Sequence, residues 1–287
     1  MNLNNEELKK ILPNNGPALE EVQKYITKYK NDLIVIKYGG NVFIDRNIFN
    51  NFISDLSILK QLGLSIVVVH GGGPRIKREL DKSNIQSKFI RGLRVTDEKI
   101  INIVENVLID FNIDIVDSLK EKGTEAISIN TKKNNIIEVI PESEELGFVG
   151  KPSKINSDII KNILAKNVIP IISPLGIGKN NQTYNINGDT AAGAIAKSLK
   201  SRRLILMTNI NGVLDKEKKL IEEITSSEIL KMINDEIITE GMIPKINTCL
   251  DAVNNGVTGV VIVDGRKPHS ILFEIFSDKG AGTLIRK

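Results

Sequence analysis

The chain has 287 residues, of which 41% are hydrophobic and 26% are charged, and these values are ordinary for a globular protein. Its net charge of +4 comes from 39 basic and 35 acidic residues spread along the whole chain, and only 4% of the residues are aromatic. This pattern argues against disorder and against a nucleic-acid partner, whose binding surface needs clustered cations and stacking aromatics. The length allows one large α/β domain or two lobes.

The small numbers of cysteines and histidines limit which disulfides and metal sites can form, and the hydropathy pattern indicates where the protein is located. The single cysteine, Cys249, cannot form an internal disulfide, and with only two histidines a dedicated zinc site is not expected. No apolar leader and no run of about 18 apolar residues occurs, so we expect no membrane contact and a soluble protein in a reducing compartment. The cytoplasm is the expected location, and a plastid stroma fits equally well for a plastid-encoded chain.

An amphipathic helix is predicted ahead of the first strand, within residues 17–30. Apolar residues recur there at helical spacing, namely Leu19, Val22, Ile26 and Tyr29. We expect residues 1–30 to form a helical extension that packs either on its own lobe or on another subunit.

Short runs of Val and Ile alternate with segments of helical periodicity along the rest of the chain. Strands are predicted at Leu33–Lys37, Ser65–His70, Ala126–Asn130, Ile136–Ile140, Val168–Ser173, Leu204–Thr208 and Gly259–Asp264. Helices are predicted near 47–62, 74–82, 97–111, 113–122, 157–166, 189–200, 226–234, 242–255 and 268–276. The alternation is typical of an α/β fold with parallel strands, helices on both faces and ligands at the carboxyl ends of the strands.

Two irregular stretches interrupt this alternation. Residues 132–156 are polar, are marked by Gly and Pro, and contain a short strand, so we predict a hairpin insertion there. Residues 174–187 form the second stretch, and a boundary between two lobes is predicted near residue 180.

Two of the predicted strands end in residues that suit an anion. Lys37 is followed by Gly39 and Gly40, and His70 is followed by three glycines and Pro74. Glycines let backbone amides approach a ligand, and proline suits the first turn of a helix, whose N-terminus favours an anion. One glycine turn can be merely a tight turn, but two of them after neighbouring strands favour an anion or phosphate site.

The common phosphate and hydrolase motifs are missing. No G-x-x-x-x-G-K-[ST] occurs and no strand leads into G-x-G-x-x-G, which argues against a P-loop protein and against a dinucleotide enzyme. The HGGG stretch is similar to the oxyanion loop of an esterase, but no G-x-S-x-G supplies a nucleophile.

Three further charged residues each have a structural and a functional interpretation. Asp189 opens a predicted helix, where an acid complements the helix dipole without any other role. Lys245 lies in the first turn of another predicted helix, where a cation is unfavourable unless an anion binds nearby or water solvates it. Arg94 precedes a helix start at Thr96 or Asp97 and suits a carboxylate or phosphate, although a surface ion pair would also explain it.

In order along the chain, the motifs resemble those of the amino-acid kinase family from about residue 17 to the end. They are IVIKYGGN, VVVHGGGP, GLRVTD, GFVGKP, NINGDTAAGAIAKSL, LILMTNINGVLD, GMIPKINTCLDAV and HSILFEIFSDKGAGTLI. They are most similar to those of the members that phosphorylate N-acetyl-L-glutamate, and less to aspartate, uridylate, glutamate or carbamate kinases. The resemblance implies a three-layer α/β sandwich with a mainly parallel central sheet. Residues 31–180 would form the lobe for N-acetylglutamate and dimerisation, and residues 181–287 the ATP-binding lobe.

The resemblance also implies the reaction. Such an enzyme converts ATP and N-acetyl-L-glutamate to ADP and N-acetyl-L-glutamyl 5-phosphate, the second step of arginine (ornithine) biosynthesis. Mg²⁺ would arrive with ATP, so no metal site on the protein is expected. Two alternatives are a sister kinase for another acid, such as an aminoadipate derivative, and a catalytically silent regulator that binds an amino acid or a nucleotide.

Site residues follow from the resemblance position by position. Lys37 and Lys245 would contact the phosphoryl group in transit, and Asp189 would hold both lysines in place. Phosphoryl transfer needs charge stabilisation more than a base, and the acceptor carboxylate is already ionised at neutral pH. The remaining residues would bind substrates: Gly40 and Thr208 for ATP and its phosphates, and Gly72, Gly73, Arg94 and Asn185 for the acceptor.

Both ends of the chain resemble the arginine-inhibited, hexameric members of the family. In those members the N-terminal helix interlaces dimers into a hexamer, a trimer of dimers, and L-arginine binds near the C-terminal segment. The matching effector residues here are His269, Glu274, Gly280 and Gly282. Some members also bind a nitrogen-signalling regulatory protein, and the sequence leaves that interaction open.

A few positions depart from the family pattern. They are Gly188, where alanine is usual, and Lys151, Pro152, Asn209, Asn211 and Glu240. None of them is one of the two lysines, Arg94 or Asp189, so we expect them to affect details of the nucleotide loops and not the reaction.

Overall fold

The computed structural model describes residues 3–39, 45–238 and 242–287. Its helices are α1 (Asn5–Ile11), α2 (Leu19–Lys28), α3 (Arg46–Gln61), α4 (Gly73–Lys82), α5 (Glu98–Glu121), α6 (Ser157–Ala165), α7 (Gly188–Leu199), α8 (Ser226–Asn234), α9 (Ile243–Asn254) and α10 (Ser270–Phe276). Its strands are β1 (Leu33–Tyr38), β2 (Ser65–His70), β3 (Phe89–Ile90), β4 (Leu93–Arg94), β5 (Ala126–Ile129), β6 (Ile137–Pro141), β7 (Gly150–Ile155), β8 (Ile169–Ile172), β9 (Leu175–Ile177), β10 (Thr183–Asn185), β11 (Arg203–Thr208), β12 (Glu223–Thr225), β13 (Val260–Asp264) and β14 (Gly282–Arg286). Across these ranges, each helix is too short or too polar to cross a membrane.

Eight of these strands form a central sheet in the order β12-β14-β13-β11-β1-β2-β8-β5. The strands from β5 to β13 in this order pair in parallel, whereas β14 is antiparallel to β13 and parallel to β12. Because both faces of the parallel strands are buried, their sequences are nearly continuous runs of Val and Ile. In β1, Ile34 and Ile36 pack into one layer of helices and Val35 packs into the other, as the two-residue period of a strand requires.

Helices cover both faces of this sheet. One core contains residues from α1, α2, α3, α5 and α10, among them Leu8, Val22, Phe52, Phe111 and Phe276. The core on the opposite face contains residues from α6, α7, α8 and α9, among them Ile160, Ile195, Ile229 and Ile246. The predicted α/β sandwich with a mainly parallel central sheet is therefore confirmed.

A smaller sheet lies outside the central one, in the order β10-β9-β6-β7. Strands β6 and β7 form an antiparallel hairpin inside the predicted insertion 132–156. Strand β10 pairs with β9 and ends at Asn185, and the two-residue strands β3 and β4 form a separate hairpin that ends at Arg94. The irregular stretch 174–187 therefore carries the predicted acceptor-binding residue Asn185, and the separate β3–β4 hairpin carries Arg94.

The N-terminal helix α2 packs on its own chain. Val22 and Tyr25 are buried in the same core as Phe276 of α10. The Tyr25 hydroxyl also donates to Asp278 Oδ1 at 2.7 Å, and the Lys24 ammonium donates to the same atom at 2.6 Å. The helix thus packs on its own chain, and the predicted docking of this helix on another subunit stays a prediction.

Helix α5 differs from the prediction. The helices predicted at 97–111 and 113–122 form one continuous helix, Glu98–Glu121. Asn112 at the junction is a weak helix former, but its buried side chain donates to the Ile171 carbonyl oxygen at 2.9 Å. This tertiary hydrogen bond satisfies the amide nitrogen of Asn112 and outweighs the low helix propensity.

The lobe boundary near residue 180 stays a prediction. The central sheet runs across it without a break, because β1 of the first part pairs with β11 of the second.

We expect Gly282→Ala to lower the free energy of unfolding by about 2–4 kcal/mol. A Cβ at this position would lie 2.0 Å from the carbonyl oxygen of Ile262 on the neighbouring strand β13. That oxygen belongs to the backbone and cannot move without disturbing the β13–β14 pairing. Urea unfolding would measure the change against Gly73→Ala, because a Cβ at Gly73 meets no atom within 4 Å. Equal stability of the two variants would contradict this strand packing.

Candidate active site

Lys37 lies at the carboxyl end of β1, beside the glycine turn that follows β2. The two strands pair in parallel, with Tyr38 opposite His70. The Gly71 amide donates to the Tyr38 carbonyl oxygen at 2.7 Å, which closes the turn against β1. A buried strand therefore holds Lys37 next to the first glycines of the HGGGP stretch.

Asp189 bridges two lysines that come from distant parts of the chain. Lys37 Nζ is 2.9 Å from Asp189 Oδ1, and Lys245 Nζ donates to Asp189 Oδ2. Asp189 lies in the first turn of α7, where the Asn187 side chain accepts from its amide at 2.9 Å. Lys245 lies in the first turn of α9, directly after Pro244. The structure thus brings together the three residues predicted to be catalytic.

These three side chains are largely buried, and their charges are coupled. Burial alone would disfavour the ionised form of Asp189, but Lys37 and Lys245 together outweigh it and hold the pKa of that carboxyl below its usual value. Burial lowers the pKa of Lys37, against the attraction of Asp189 and together with the repulsion of Lys245. One carboxylate between two ammonium groups leaves a positive charge, so the cluster favours an anionic ligand.

Two glycines pack against the Lys37 side chain. A Cβ at Gly39 would lie 1.9 Å from Lys37 Nζ and 2.2 Å from its Cε, whereas a Cβ at Gly188 would lie 3.3 Å from the same Cε. The lysine side chain therefore folds back over its own turn, and position 39 must lack a side chain for it to do so. The departure at Gly188 is mild, because an alanine there needs only a small adjustment.

A cleft of about 1110 Å³ opens beside this cluster. Its lining includes six of the predicted site residues: Lys37, Gly72, Gly73, Arg94, Asn185 and Asp189. Lys245 is not in the lining, but its ammonium group contacts the cleft residue Asp189. The volume suits a small acceptor together with the phosphate end of a nucleotide.

Arg94 reaches the cleft from the short β3–β4 hairpin. Its guanidinium donates to the Ser87 hydroxyl and lies 4.7 Å from the centre of the Phe89 ring. Only 9% of the residue is exposed, burial lowers its pKa, and no carboxylate in the described ranges forms an ion pair with it. A buried guanidinium of this kind is a suitable partner for a substrate carboxylate, which favours the substrate interpretation over a surface ion pair.

The structure describes one of the other two residues predicted to bind ATP, Gly40 and Thr208. Gly40 lies outside the described residues, as does Glu240. Thr208 is buried at the carboxyl end of β11, opposite Asp264 of β13, and does not line the cleft. That end of the sheet is where ligands of α/β folds bind, so the role of Thr208 stays a prediction.

The predicted effector residues fall in two places, and three of them share a second cleft. Glu274, Gly280 and Gly282 line a space of about 170 Å³ between α2 and the C-terminal strand, together with Tyr25 and Asp278. Burial raises the pKa of Glu274, whose carboxylate accepts from the Ala281 amide at 2.9 Å.

His269 lies apart from that cleft. Its Nδ1 is 2.6 Å from Oδ1 of Asp55, a buried residue of α3. This hydrogen bond raises the pKa of His269, although burial opposes the shift. The structure therefore does not bring His269 together with the other three effector residues.

The sequence-based interpretation missed a buried polar network behind the glycine turn. His70, Asn112 and Ser173 are fully or almost fully buried and contact one another. The sequence does contain a signal for it, because His70 at the end of β2 and Asn112 in the middle of α5 are polar residues among apolar neighbours.

Comparison with known proteins decides the family. The family model described as "Amino acid kinase family" matches residues 32–264. The chain belongs to the amino acid kinase family. An acetylglutamate kinase from Pelagibacter ubique (strain HTCC1062) is 54% identical over 285 residues, which are 99% of each chain. The chain therefore groups with the acetylglutamate kinases, and the family predicted from the motifs is confirmed.

Solved structures support the fold of this kinase. N-acetylglutamate synthase from Neisseria gonorrhoeae, complexed with coenzyme A and N-acetyl-glutamate, superposes with a TM-score of 0.84 at 22% identity. The match covers 93% of this chain, which spans only 62% of the synthase chain. The same synthase complexed with coenzyme A and L-arginine has a TM-score of 0.81 at 21% identity over 93% of this chain and 64% of that one. At such identities the similarity shows the fold alone.

We expect Gly39→Ala to lower the kinase turnover about 100-fold, because the new Cβ occupies the place of the Lys37 ammonium and displaces it. Stability should change little, since a flexible side-chain end can move aside. Gly188→Ala is the matched control and should keep turnover within a few-fold of the original value. Steady-state kinetics and thermal unfolding would test the pair, and full activity of Gly39→Ala would contradict the position of Lys37.

Proposed function

We propose that this kinase transfers the γ-phosphoryl group of ATP to the side-chain carboxylate of N-acetyl-L-glutamate. The products are ADP and N-acetyl-L-glutamyl 5-phosphate, and the reaction serves arginine biosynthesis. The observation that carries the proposal is the position of Lys37, Asp189 and Lys245 beside one cleft. The same cleft is lined by Arg94, which is buried and forms no ion pair with a carboxylate of the described residues.

The two lysines stabilise the transition state. During transfer, negative charge is spread over the oxygens of the phosphoryl group, and two fixed ammonium groups offset that charge. Asp189 pairs with both ammonium groups and holds their orientation, and it is not a general base, because both carboxylate oxygens already contact the lysines. The acceptor carboxylate is ionised at neutral pH and needs no base.

The acceptor lies between the glycine turn and the β3–β4 hairpin. Arg94 pairs with the α-carboxylate, and Asn185 at the end of β10 binds neighbouring polar groups of the acceptor. Gly72 and Gly73 lie at the N-terminus of α4, where the Gly72 amide faces the phosphoryl group that the acceptor receives and Gly73 lies beside it. Together these groups place the reacting carboxylate toward Lys37.

Magnesium enters as part of the substrate, the Mg²⁺ complex of ATP. In the part of the chain that the structure describes, no group of three or more His, Cys, Asp or Glu side chains is arranged to hold a metal ion. We propose that the phosphate oxygens of ATP, together with water, supply the ligands of the ion.

We expect Lys245→Ala to lower kcat by about 100- to 1000-fold with a smaller change in KM, because the lysine acts mainly on the transition state. Lys197→Ala is the matched control, since Lys197 also joins α7 to α9 through an aspartate, Asp251, but does so outside the cleft. A coupled ADP assay would measure both variants. Nearly normal turnover of Lys245→Ala would show that this lysine does not stabilise the transition state.

The same assay on a panel of acids tests the acceptor. ADP formation with N-acetyl-L-glutamate and little with free glutamate or an N-acetylated aminoadipate supports the proposal. Faster turnover of another acid would show that the substrate assignment is wrong.

L-Arginine is proposed as a feedback inhibitor that binds in the second cleft. The buried carboxylate of Glu274 and the exposed carboxylate of Asp278 face a space beside α2, and such carboxylates pair well with a guanidinium group. The synthase from Neisseria gonorrhoeae, which has a similar fold, was solved with L-arginine. His269 enters this proposal only through its contact with Asp55, because it lies outside the cleft.

We expect arginine to inhibit the unmodified enzyme and to inhibit Glu274→Gln at least about tenfold less strongly, because the amide keeps the shape but loses the charge. The amide oxygen can still accept from Ala281, so turnover without arginine should stay the same. Glu138→Gln, on the hairpin insertion, is the control variant. Equal inhibition of Glu274→Gln would exclude this carboxylate, and no inhibition of any variant would exclude arginine as an effector.

We also propose that the enzyme forms a hexamer of three dimers through its N-terminal helix. The support is the resemblance of residues 17–30 to the helix of the hexameric members. Light scattering after gel filtration should give six times the mass of one chain, and the mass of a dimer would contradict the hexamer. Binding of a nitrogen-signalling protein and a cytoplasmic or stromal location stay predictions.

A further inference from the structure

The glycine turn after β2 needs something to fix its peptide planes. Gly72 lies close to the buried Leu108, because a Cβ there would lie 2.5 Å from Leu108 Cδ2 and the leucine side chain would have to shift. A peptide between two glycines also rotates easily, since neither residue restricts the backbone. The amide between Gly71 and Gly72 therefore points toward a ligand only if another group holds it.

His70 contacts this peptide directly. Its Nδ1 is 2.8 Å from the Gly71 carbonyl oxygen. A carbonyl oxygen only accepts, so Nδ1 carries the proton and donates. Nε2 is then the acceptor, and it lies 3.2 Å from the Ser173 hydroxyl and 3.1 Å from the Asn112 amide nitrogen. Burial lowers the pKa of this imidazole to about 4, so the ring is neutral near pH 7.

The direction of this network is set from its far end. Asn112 Nδ2 lies 2.9 Å from the Ile171 carbonyl oxygen and 3.0 Å from the Ser173 hydroxyl oxygen. The opposite amide orientation would place two oxygens against each other, so the nitrogen must face Ile171. One N–H of Asn112 therefore donates to Ile171, and its other N–H faces both the Ser173 hydroxyl oxygen and Nε2. The single lone pair of Nε2 accepts from this side of the ring, where Ser173 and Asn112 lie, and Nδ1–H donates to the Gly71 carbonyl oxygen.

The consequence lies on the other side of the same peptide. The described residues contain no cis peptide, so the Gly71 C=O and the Gly72 N–H point in opposite directions. With the carbonyl held by the buried ring, the Gly72 amide points away from it. Gly71 and Gly72 both line the cleft, and no described residue accepts from the Gly72 amide.

We propose that His70 is a positioning residue for catalysis. Its Nδ1–H holds the Gly71 carbonyl inward, so that the Gly72 amide faces the phosphoryl group in transit and donates to one of its oxygens. The proposal rests on the proposed function. His70 itself touches no substrate and exchanges no proton.

Three substitutions of His70 separate this role from simple packing. His70→Asn places an amide nitrogen close to the position of Nδ1, His70→Gln places one close to Nε2, and His70→Leu fills the space without a donor. We expect kcat to fall about 100-fold in His70→Gln and His70→Leu but less than tenfold in His70→Asn, with small changes in KM for both substrates.

Packing alone predicts the opposite order. The His70 ring lies edge-on to Phe111, with ring centres 5.1 Å apart, in a fully buried site. Asparagine leaves the largest cavity there and leucine the smallest. If His70 only filled space, His70→Asn would therefore be the least stable and least active of the three variants. A His70→Asn variant that turns over no faster than His70→Leu would overturn the proposal.

Binding of a transition-state mimic gives a second measurement. ADP, aluminium fluoride and N-acetyl-L-glutamate together imitate the phosphoryl group in transit, whereas ADP alone does not. We expect His70→Gln to bind ADP normally, which also shows that it is folded, and to bind the mimic about 100-fold more weakly than the original enzyme. Normal binding of the mimic would overturn the role of His70.

The same assays keep the two proposals apart. Absence of turnover with N-acetyl-L-glutamate in the unmodified enzyme would overturn the proposed function. If the unmodified enzyme turns over normally but His70→Asn is the slowest of the three variants, only the role of His70 would be overturned.

Discussion

One carboxylate shared by two lysines is the interaction on which the rest of the site depends. Lys37 is buried on a core strand, and a buried ammonium group without a partner would lose its proton or leave the interior. The Asp189 carboxylate opposes this effect at Lys37, and it also forms an ion pair with Lys245. Because two positive charges meet one negative charge, the cluster keeps an excess of positive charge that a phosphoryl group can offset.

The fold places this cluster where two helix N-termini and one strand end meet. Asp189 in the first turn of α7 is favoured by the helix dipole, whereas Lys245 in the first turn of α9 is disfavoured by it. The contact with Asp189 offsets that cost for Lys245. The dipoles of both helices then add to the positive potential of the lysines, so the site attracts an anion through backbone and side chains together.

Sequence reasoning identified residues that the structure brings together where a residue contradicts its local surroundings. Lys37 ends an apolar strand and Lys245 opens a helix, so each stands out from its neighbours along the chain, and the order of motifs supplies their partner, Asp189. Asn112 also stands out, but its reason is a tertiary hydrogen bond to β8, and local pattern suggested a break between two helices instead. His269 was grouped with Glu274 by resemblance, and no sequence feature indicates that its ring faces Asp55.

The contact between His269 and Asp55 bears on how the proposed effector would act on the cluster of Lys37, Asp189 and Lys245. Helix α10 carries Glu274 of the second cleft, and its first turn begins just after His269, whereas Asp55 belongs to α3, the helix that follows β1 in the chain. A ligand shifts an equilibrium only by as much as its affinity differs between two states. An effector that binds beside Glu274 therefore has to favour one position of α10 relative to α3. His269 and Asp55 are a buried hydrogen-bonded pair between α10 and α3. A displacement of α10 must therefore either carry α3 along or leave the Asp55 carboxylate without this partner in the core, which is costly. For the proposed effector, carrying α3 along would be the less costly course, and it would transmit the displacement to the helix that follows Lys37.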